Sequence, residues 1–432
     1  MNSGLSTKNA PSPGVVIPYY IYSAFSLVLA SIMMLVSGEN ILASFIGPNL
    51  LSFTHMLVLG WVSMVIFGAL YQLIPVVMEV KINSEKMAHF SFWTLAIGNI
   101  LLSFSFWQNY TSPKWMSIIG GSLVLLSIIV FVINFVATAR TTRVKSTQNN
   151  FIITSVFWLS LTVALGIAIL LNNKFYFMQI SPIELLKAHA ALGLIGWFLM
   201  LVMGVASILL PMFFIVHNLK TIYIKISYAL TNLGLTFLVV SLLLSFPSWT
   251  KEIAGLMILL GVASFVRYNF DAYKNRLRKR LDIGMKLTVL SFLLLAASFI
   301  NGLLVFLAPD FLSAQIIPLS LAFGMNLILG FFTSLILGQM YKTLPFILWL
   351  ARYQDKVGKF KTPLPADLYS EKIANAHYYS FITAIILLNI SLFVHCKLTF
   401  YGGVIALFIT AFLYTYNTMK IVLHKENLKP LK

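Results

Sequence analysis

Two histidines, His55 and His189, stand inside long apolar runs, and they are the residues through which this chain could do chemistry. An imidazole surrounded by hydrocarbon costs free energy unless it is partnered. Neutral imidazole is also the commonest protein ligand for haem iron and copper. Two readings therefore stand for each ring: a ligand to a haem or metal, or a hydrogen bond to a backbone carbonyl near one membrane interface. The other five, His89, His217, His377, His395 and His424, fall at the ends of apolar runs or in the tail and read as interfacial. Cys396 is the single cysteine, which leaves no internal disulfide, no CxxC metal site and no cysteine-attached haem. The 12 Asp and Glu residues fall almost wholly in loops and at span ends, which argues against a proton-driven pump.

The elements that must position these rings follow from composition. With 59% hydrophobic and 10% charged residues over 432 positions, and a mean hydropathy of +0.90, the chain is too apolar for a water-soluble core. Twelve apolar runs, from 16–37 to 399–421, are each long enough to cross a hydrocarbon layer about 30 Å thick. The expected fold is an all-α polytopic membrane protein in one transmembrane domain, residues 1–432. Polar stretches lie at 1–15, 351–375 and 424–432.

One helix is written three times. Gly60, Trp61, Gly68 and Pro75 recur at the same offsets as Gly196, Trp197, Gly204 and Pro211, and again as Gly330, Phe331, Gly338 and Pro345. The copies start 136 and then 134 residues apart, so the twelve spans divide into three pseudo-repeats of four, with helices 2, 6 and 10 as the expected inner helices. At 100° per residue the two glycines of a copy fall about 80° apart. They form a small-residue stripe suited to close helix packing. Each proline is expected to kink or end its helix, and Tyr71 and Tyr341 read as interface anchors. Ser181, Pro182 and Glu184 predict a capped start to the sixth helix, with Glu184 reaching back to the cap.

The formal charge of +18 is a topology signal. Of the 30 Lys and Arg residues, 25 lie on the side of the N-terminus and the even-numbered loops, and 5 on the other. Cytoplasmic loops carry such an excess, which places both termini in the cytoplasm and the chain in the inner membrane of a bacterium. Lipid is then the expected partner, and nucleic acid is not. No phosphate-binding glycine loop or nucleophile elbow stands in a suitable context.

Twelve spans with both ends inside, three four-helix units and inner helices 2, 6 and 10 resemble subunit I of the haem-copper oxidases over essentially the whole chain. In that family the second helix gives an axial histidine to a low-spin haem and the sixth a histidine to copper. The resemblance therefore implies haem at His55 in FTHMLVLGW and copper at His189 in LKAHAALG. It also implies a redox partner or a second membrane subunit. The chain departs from the family on helix 10, where LAFGMNLILGF replaces two haem-binding histidines, and on helix 7, which lacks the copper histidine pair. Met325 and Asn326 stand near the lost positions, and methionine is a known haem ligand. Without those histidines an oxygen-reducing centre cannot be assembled. The expectation is a haem-binding redox, gas-sensing or metal-handling component that is not an oxygen reductase; the alternative is a small-solute permease or structural subunit without haem. On the charge-based orientation, a membrane-impermeant maleimide applied to intact cells is expected to label Cys396. Labelling only after lysis reverses the topology.

Overall fold

In hydrocarbon every backbone N–H and C=O must be satisfied inside the protein, and helices do this segment by segment. The computed structural model describes residues 9–108, 113–142, 146–306, 315–394, 396–426 and 428–430. Most of the polar N-terminal stretch, His395 and the extreme C-terminus lie outside the described residues.

Among the described residues, twelve helices are long and apolar enough to span a membrane. They are α1 (Pro13–Leu42), α2 (Pro48–Val77), α3 (Glu85–Trp107), α4 (Trp115–Ala139), α5 (Thr147–Phe175) and α6 (Pro182–Phe214), followed by α7 (Ile222–Leu243), α8 (Ser248–Lys274), α9 (Ile283–Phe306), α10 (Ile316–Lys356), α11 (Glu371–Val394) and α12 (Lys397–Val422). A two-residue antiparallel pair joins β1 (Phe360–Lys361) to β2 (Lys429–Pro430). The helices fall into two compact units: residues 1–116 with 281–432, holding α1–α3 and α9–α12, and residues 117–280, holding α4–α8.

Helices α2, α6 and α10 are the most buried of the twelve, at 67%, 67% and 72% of their most apolar windows. Each changes to a π-helix in mid-span: Met56–Ser63, Leu192–Leu199 and Asn326–Phe332. These segments begin at the same 136- and 134-residue intervals as the sequence motif, and each encloses the glycine–aromatic pair. A π turn is wider than an α turn and is found mostly at functional or strained places. The 100° wheel therefore misplaces residues across the segment, so the 80° separation of the glycines does not carry over.

The glycines pack helices all the same. A Cβ on Gly60 would meet Ser26 of α1 and Asn99 of α3, and one on Gly68 would meet Tyr19 of α1 at 2.9 Å. Gly196 and Gly204 meet Trp158 and Phe151 of α5, while Gly330 and Gly338 meet Leu294 and Gly284 of α9. In all three cases the span immediately before lies against the glycines.

The prolines act differently from copy to copy. After Pro75 and Pro211 the chain turns left-handed four residues on, at Glu79 (φ 56°) and Ile215 (φ 56°), and the helix ends. Val80 and Val216 then donate their N–H groups to the proline carbonyls at 3.1 and 2.9 Å. Helix α10 instead continues past Pro345 to Tyr353. The start of α6 also departs from expectation. Pro182 begins the helix, but the Ser181 side chain makes no capping bond, and Glu184 pairs with Lys251 of α8 at 2.8 Å and with Lys187 at 3.0 Å. Two lysines offer a carboxylate more than one backbone N–H does.

The close approach at Gly338 generates a test. A Cβ there would stand 2.6 Å from the Gly284 carbonyl oxygen, whereas one on Gly324 of the same helix meets nothing within 4 Å. Gly338→Ala is expected to destabilise by about 1–3 kcal/mol through overpacking. Gly324→Ala is expected to be neutral or to stabilise by up to about 1 kcal/mol. Thermal unfolding of both variants in detergent checks the pair.

Candidate functional site

His55 closes the α-helical first part of α2, directly before the π segment. Its Nδ1 lies 2.8 Å from the carbonyl oxygen of Leu51, one turn back, and its ring stands 5.0 Å from that of Phe106 on α3. When Nδ1 donates to that carbonyl, Nε2 becomes the acceptor nitrogen. A backbone carbonyl on one ring nitrogen is the usual way in which a metal-ligating histidine is oriented.

His189 stands three residues before the π segment of α6. Its Nδ1 lies 3.0 Å from the carbonyl oxygen of Thr162 on α5, and its Cε1 would be 2.9 Å from a Cβ on Gly166. The ring thus occupies a notch that only glycine leaves open. The two rings turn to different neighbours: His55 to the span after its own, α3, and His189 to the span before its own, α5. Asn326, near the position of a missing histidine on α10, is engaged in a reciprocal amide pair with Asn389 of α11 at 2.9 and 3.1 Å. Among the described residues, no group of three or more His, Cys, Asp and Glu side chains gathers in a way that could hold a metal ion.

The structure corrects the reading of His377 as interfacial. Its residue exposure is 0%, and it lies among tyrosines where α10, α11 and α12 meet. Ring centroids of Tyr341 and Tyr414 are 5.8 and 6.1 Å away, and the Tyr341 hydroxyl is 3.5 Å from Nδ1, at the outer limit of a hydrogen bond. Tyr341 and Tyr71 are likewise buried and are not interface anchors. Asn417 of α12 knits the cluster to the polar stretch 351–375. It donates to the Tyr341 hydroxyl and the Ser370 carbonyl, both at 3.2 Å, and accepts from the Ser370 N–H at 3.0 Å. Tyr20 of α1 bonds Thr343 at 3.0 Å, and Trp61 donates to Thr333 at 3.2 Å, tying α1 and α2 to α10. Tyr369, half-buried at the mouth of the cluster, has its hydroxyl pKa pushed up to about 12, chiefly by burial and further by the charges of Asp282 and Glu371.

The polar stretch 351–375 is tied down by hydrogen bonds and ion pairs at its start and to the tail. Tyr353 is buried and bonds His424 at 2.8 Å, Arg352 donates to the carbonyls of Val422 and His424, and Trp349 donates to the Pro363 carbonyl at 2.6 Å. Lys356 pairs with Glu426, and β1 pairs with β2. Loop and tail therefore form a cap on the end of the helices that carries the N-terminus.

No protein-family profile matches the chain. It is similar to a protein of Aquifex aeolicus (strain VF5) described as an uncharacterized protein, with 27% identity over 350 residues, 79% of this chain and 80% of that one. The likeness extends over most of both chains and assigns no activity.

The Asn417 side chain joins the helix cluster to the cap, and Asn417→Leu removes three hydrogen bonds at once. It is expected to cost about 1–3 kcal/mol, because buried groups lose their partners. Limited proteolysis within residues 354–368 should accelerate. Unchanged cleavage would show that the cap is held by other contacts.

Proposed function

We propose that this chain is a membrane-embedded haem protein on a scaffold like that of haem-copper oxidase subunit I, with His55 as the axial ligand. One observation carries the reading: the Leu51 carbonyl, 2.8 Å from Nδ1, directs Nε2 as the coordinating nitrogen from a helix that immediately changes pitch. His55 would hold the iron through Nε2, and Asn326, the polar candidate on α10, is committed to Asn389. A single histidine suffices for a haem of globin type.

In this reading the chain contributes orientation, shape and dryness. Leu51 holds the imidazole proton at Nδ1, Phe106 packs against the ring, and the surrounding apolar helices exclude water. Haem supplies an iron that exchanges an electron or binds a diatomic gas. Oxygen reduction to water is not part of the proposal, because helices 7 and 10 lack the histidines for a second metal. His189 is the proposed copper ligand. Its Nδ1 is oriented in the same way by Thr162, but its ring is wedged against Gly166. The setting of the chain is proposed to be a bacterial inner membrane, with the basic cap in the cytoplasm and a redox partner or second subunit alongside.

The purified protein is expected to show a Soret band that is lost in His55→Ala and retained in His189→Ala, with copper content falling only in the latter. Haem unchanged by His55→Ala, or wild type prepared without haem, would sink the assignment in favour of a permease or structural subunit.

A further inference from the structure

The 25 Lys and Arg residues on the side of the N-terminus are unevenly balanced by acids. In sequence, 11 of them fall in the stretches 140–145, 217–225 and 267–280, at the ends of helices within residues 117–280. Those stretches hold one acid, Asp271, which is paired with Arg267 at 3.2 Å. The other 14 (25 minus 11) share their side with seven acids. Topology is set by Lys and Arg and is nearly indifferent to Asp and Glu, so the lack of acids here is not explained by orientation. A field of one sign attracts an anionic partner.

The segment 275–280 is fastened to the end of α6. Leu277 and Arg278 donate their N–H groups to the Phe214 carbonyl at 3.1 and 3.4 Å. The Tyr273 ring stands 5.9 Å from that of Phe214 and 3.9 Å from the Arg276 guanidinium, which also donates to the Tyr273 carbonyl at 2.7 Å. Arg276 is thus taken up in holding the segment, while Lys274, Lys279 and Arg280 are exposed. Beside them Leu277 is 68% exposed and Ile215, next to Phe214, is 49% exposed. Cations next to bare aliphatic side chains, just beyond the helix ends, suit the boundary between phosphate headgroups and acyl chains. A soluble anion would use the cations alone.

We propose that residues 274–280, with the end of α6, form a docking site for an anionic phospholipid. Lys274, Lys279 and Arg280 hold the headgroup phosphate by charge-assisted hydrogen bonds, and Leu277 and Ile215 lie against the acyl chains. The site is independent of the haem reading, since His55 and its contacts belong to the other compact unit.

Native mass spectrometry of the full chain in detergent tests the site, with phosphatidylglycerol and phosphatidylcholine of identical acyl chains added at low ionic strength. Phosphatidylglycerol is expected to bind several-fold more tightly. Each cation near an anionic surface is worth roughly a five-fold gain in affinity, so Lys274→Gln, Lys279→Gln and Arg280→Gln combined should abolish the preference. Lys279→Gln alone should reduce it several-fold, and either variant that elutes as the wild type does suffices. Lys359→Gln, Lys361→Gln and Lys425→Gln combined remove the same charge from exposed positions in the cap and should leave the preference intact. Equal binding of the two lipids would overturn the proposal, as would a preference lost equally in the cap variant. Displacement of phosphatidylglycerol by equimolar inorganic phosphate or a short oligonucleotide would also overturn it, since the segment would then hold a soluble anion.

Discussion

Between Gly338 and Gly284 there is no room for a methyl group: a Cβ on either would stand 2.6–2.7 Å from the other's carbonyl oxygen. Helix association in lipid gains little from burying apolar surface, since the lipid is equally apolar, and depends on contact area and backbone approach. Thinness along one side therefore sets where α1, α5 and α9 can lie against α2, α6 and α10. The same need recurs at Gly60 and Gly68 against α1 and at Gly196 and Gly204 against α5. Once those pairs are seated, the bulky residues of the motif face other ways. Trp61 becomes available for Thr333 and Tyr414, and Tyr341 for Asn417.

The span count and span limits were legible because a hydrocarbon layer imposes a minimum length and tolerates few charges, and both are visible in a one-dimensional pattern. The glycine stripe was legible for the same reason: residue size is local information. The π segments were not, since glycine followed by an aromatic residue is common in ordinary helices and only its coincidence at three places hinted at anything special. Nor was the fate of Glu184. Its sequence neighbours satisfy a capping box, but its partner Lys251 comes from a helix two spans away.

His55 and His189 stand out by their position in apolar runs, and each ring has its Nδ1 within hydrogen-bond distance of a backbone carbonyl. His377 was missed because it lies near the polar start of its span, where depth estimated from hydropathy reads as surface. Tyr341 of α10 and Tyr414 of α12 are what surround it. Two prolines, one glycine and several charges mark a loop correctly, yet Tyr353 and Trp349 at its entrance, together with an aromatic-rich start to α11, were the signal that this loop has an inner face.

The pairing of α12 with α1 has a consequence for how the chain is made. Thr415 donates to the Ala24 carbonyl across 391 residues of sequence, and the buried face of α1 carries Ser23, Ser26 and Ser31 as well as Ala24. The ribosome delivers α1 well before α12, so this small, polar-edged face has no native neighbour on α12 until the intervening residues have been made. Contacts of such sequence separation carry the largest loop-closure cost. While the intervening spans are made, α1 must therefore persist in the bilayer on its own hydrophobicity and its packing with α2, and α12 then covers the face that its earlier neighbours leave open.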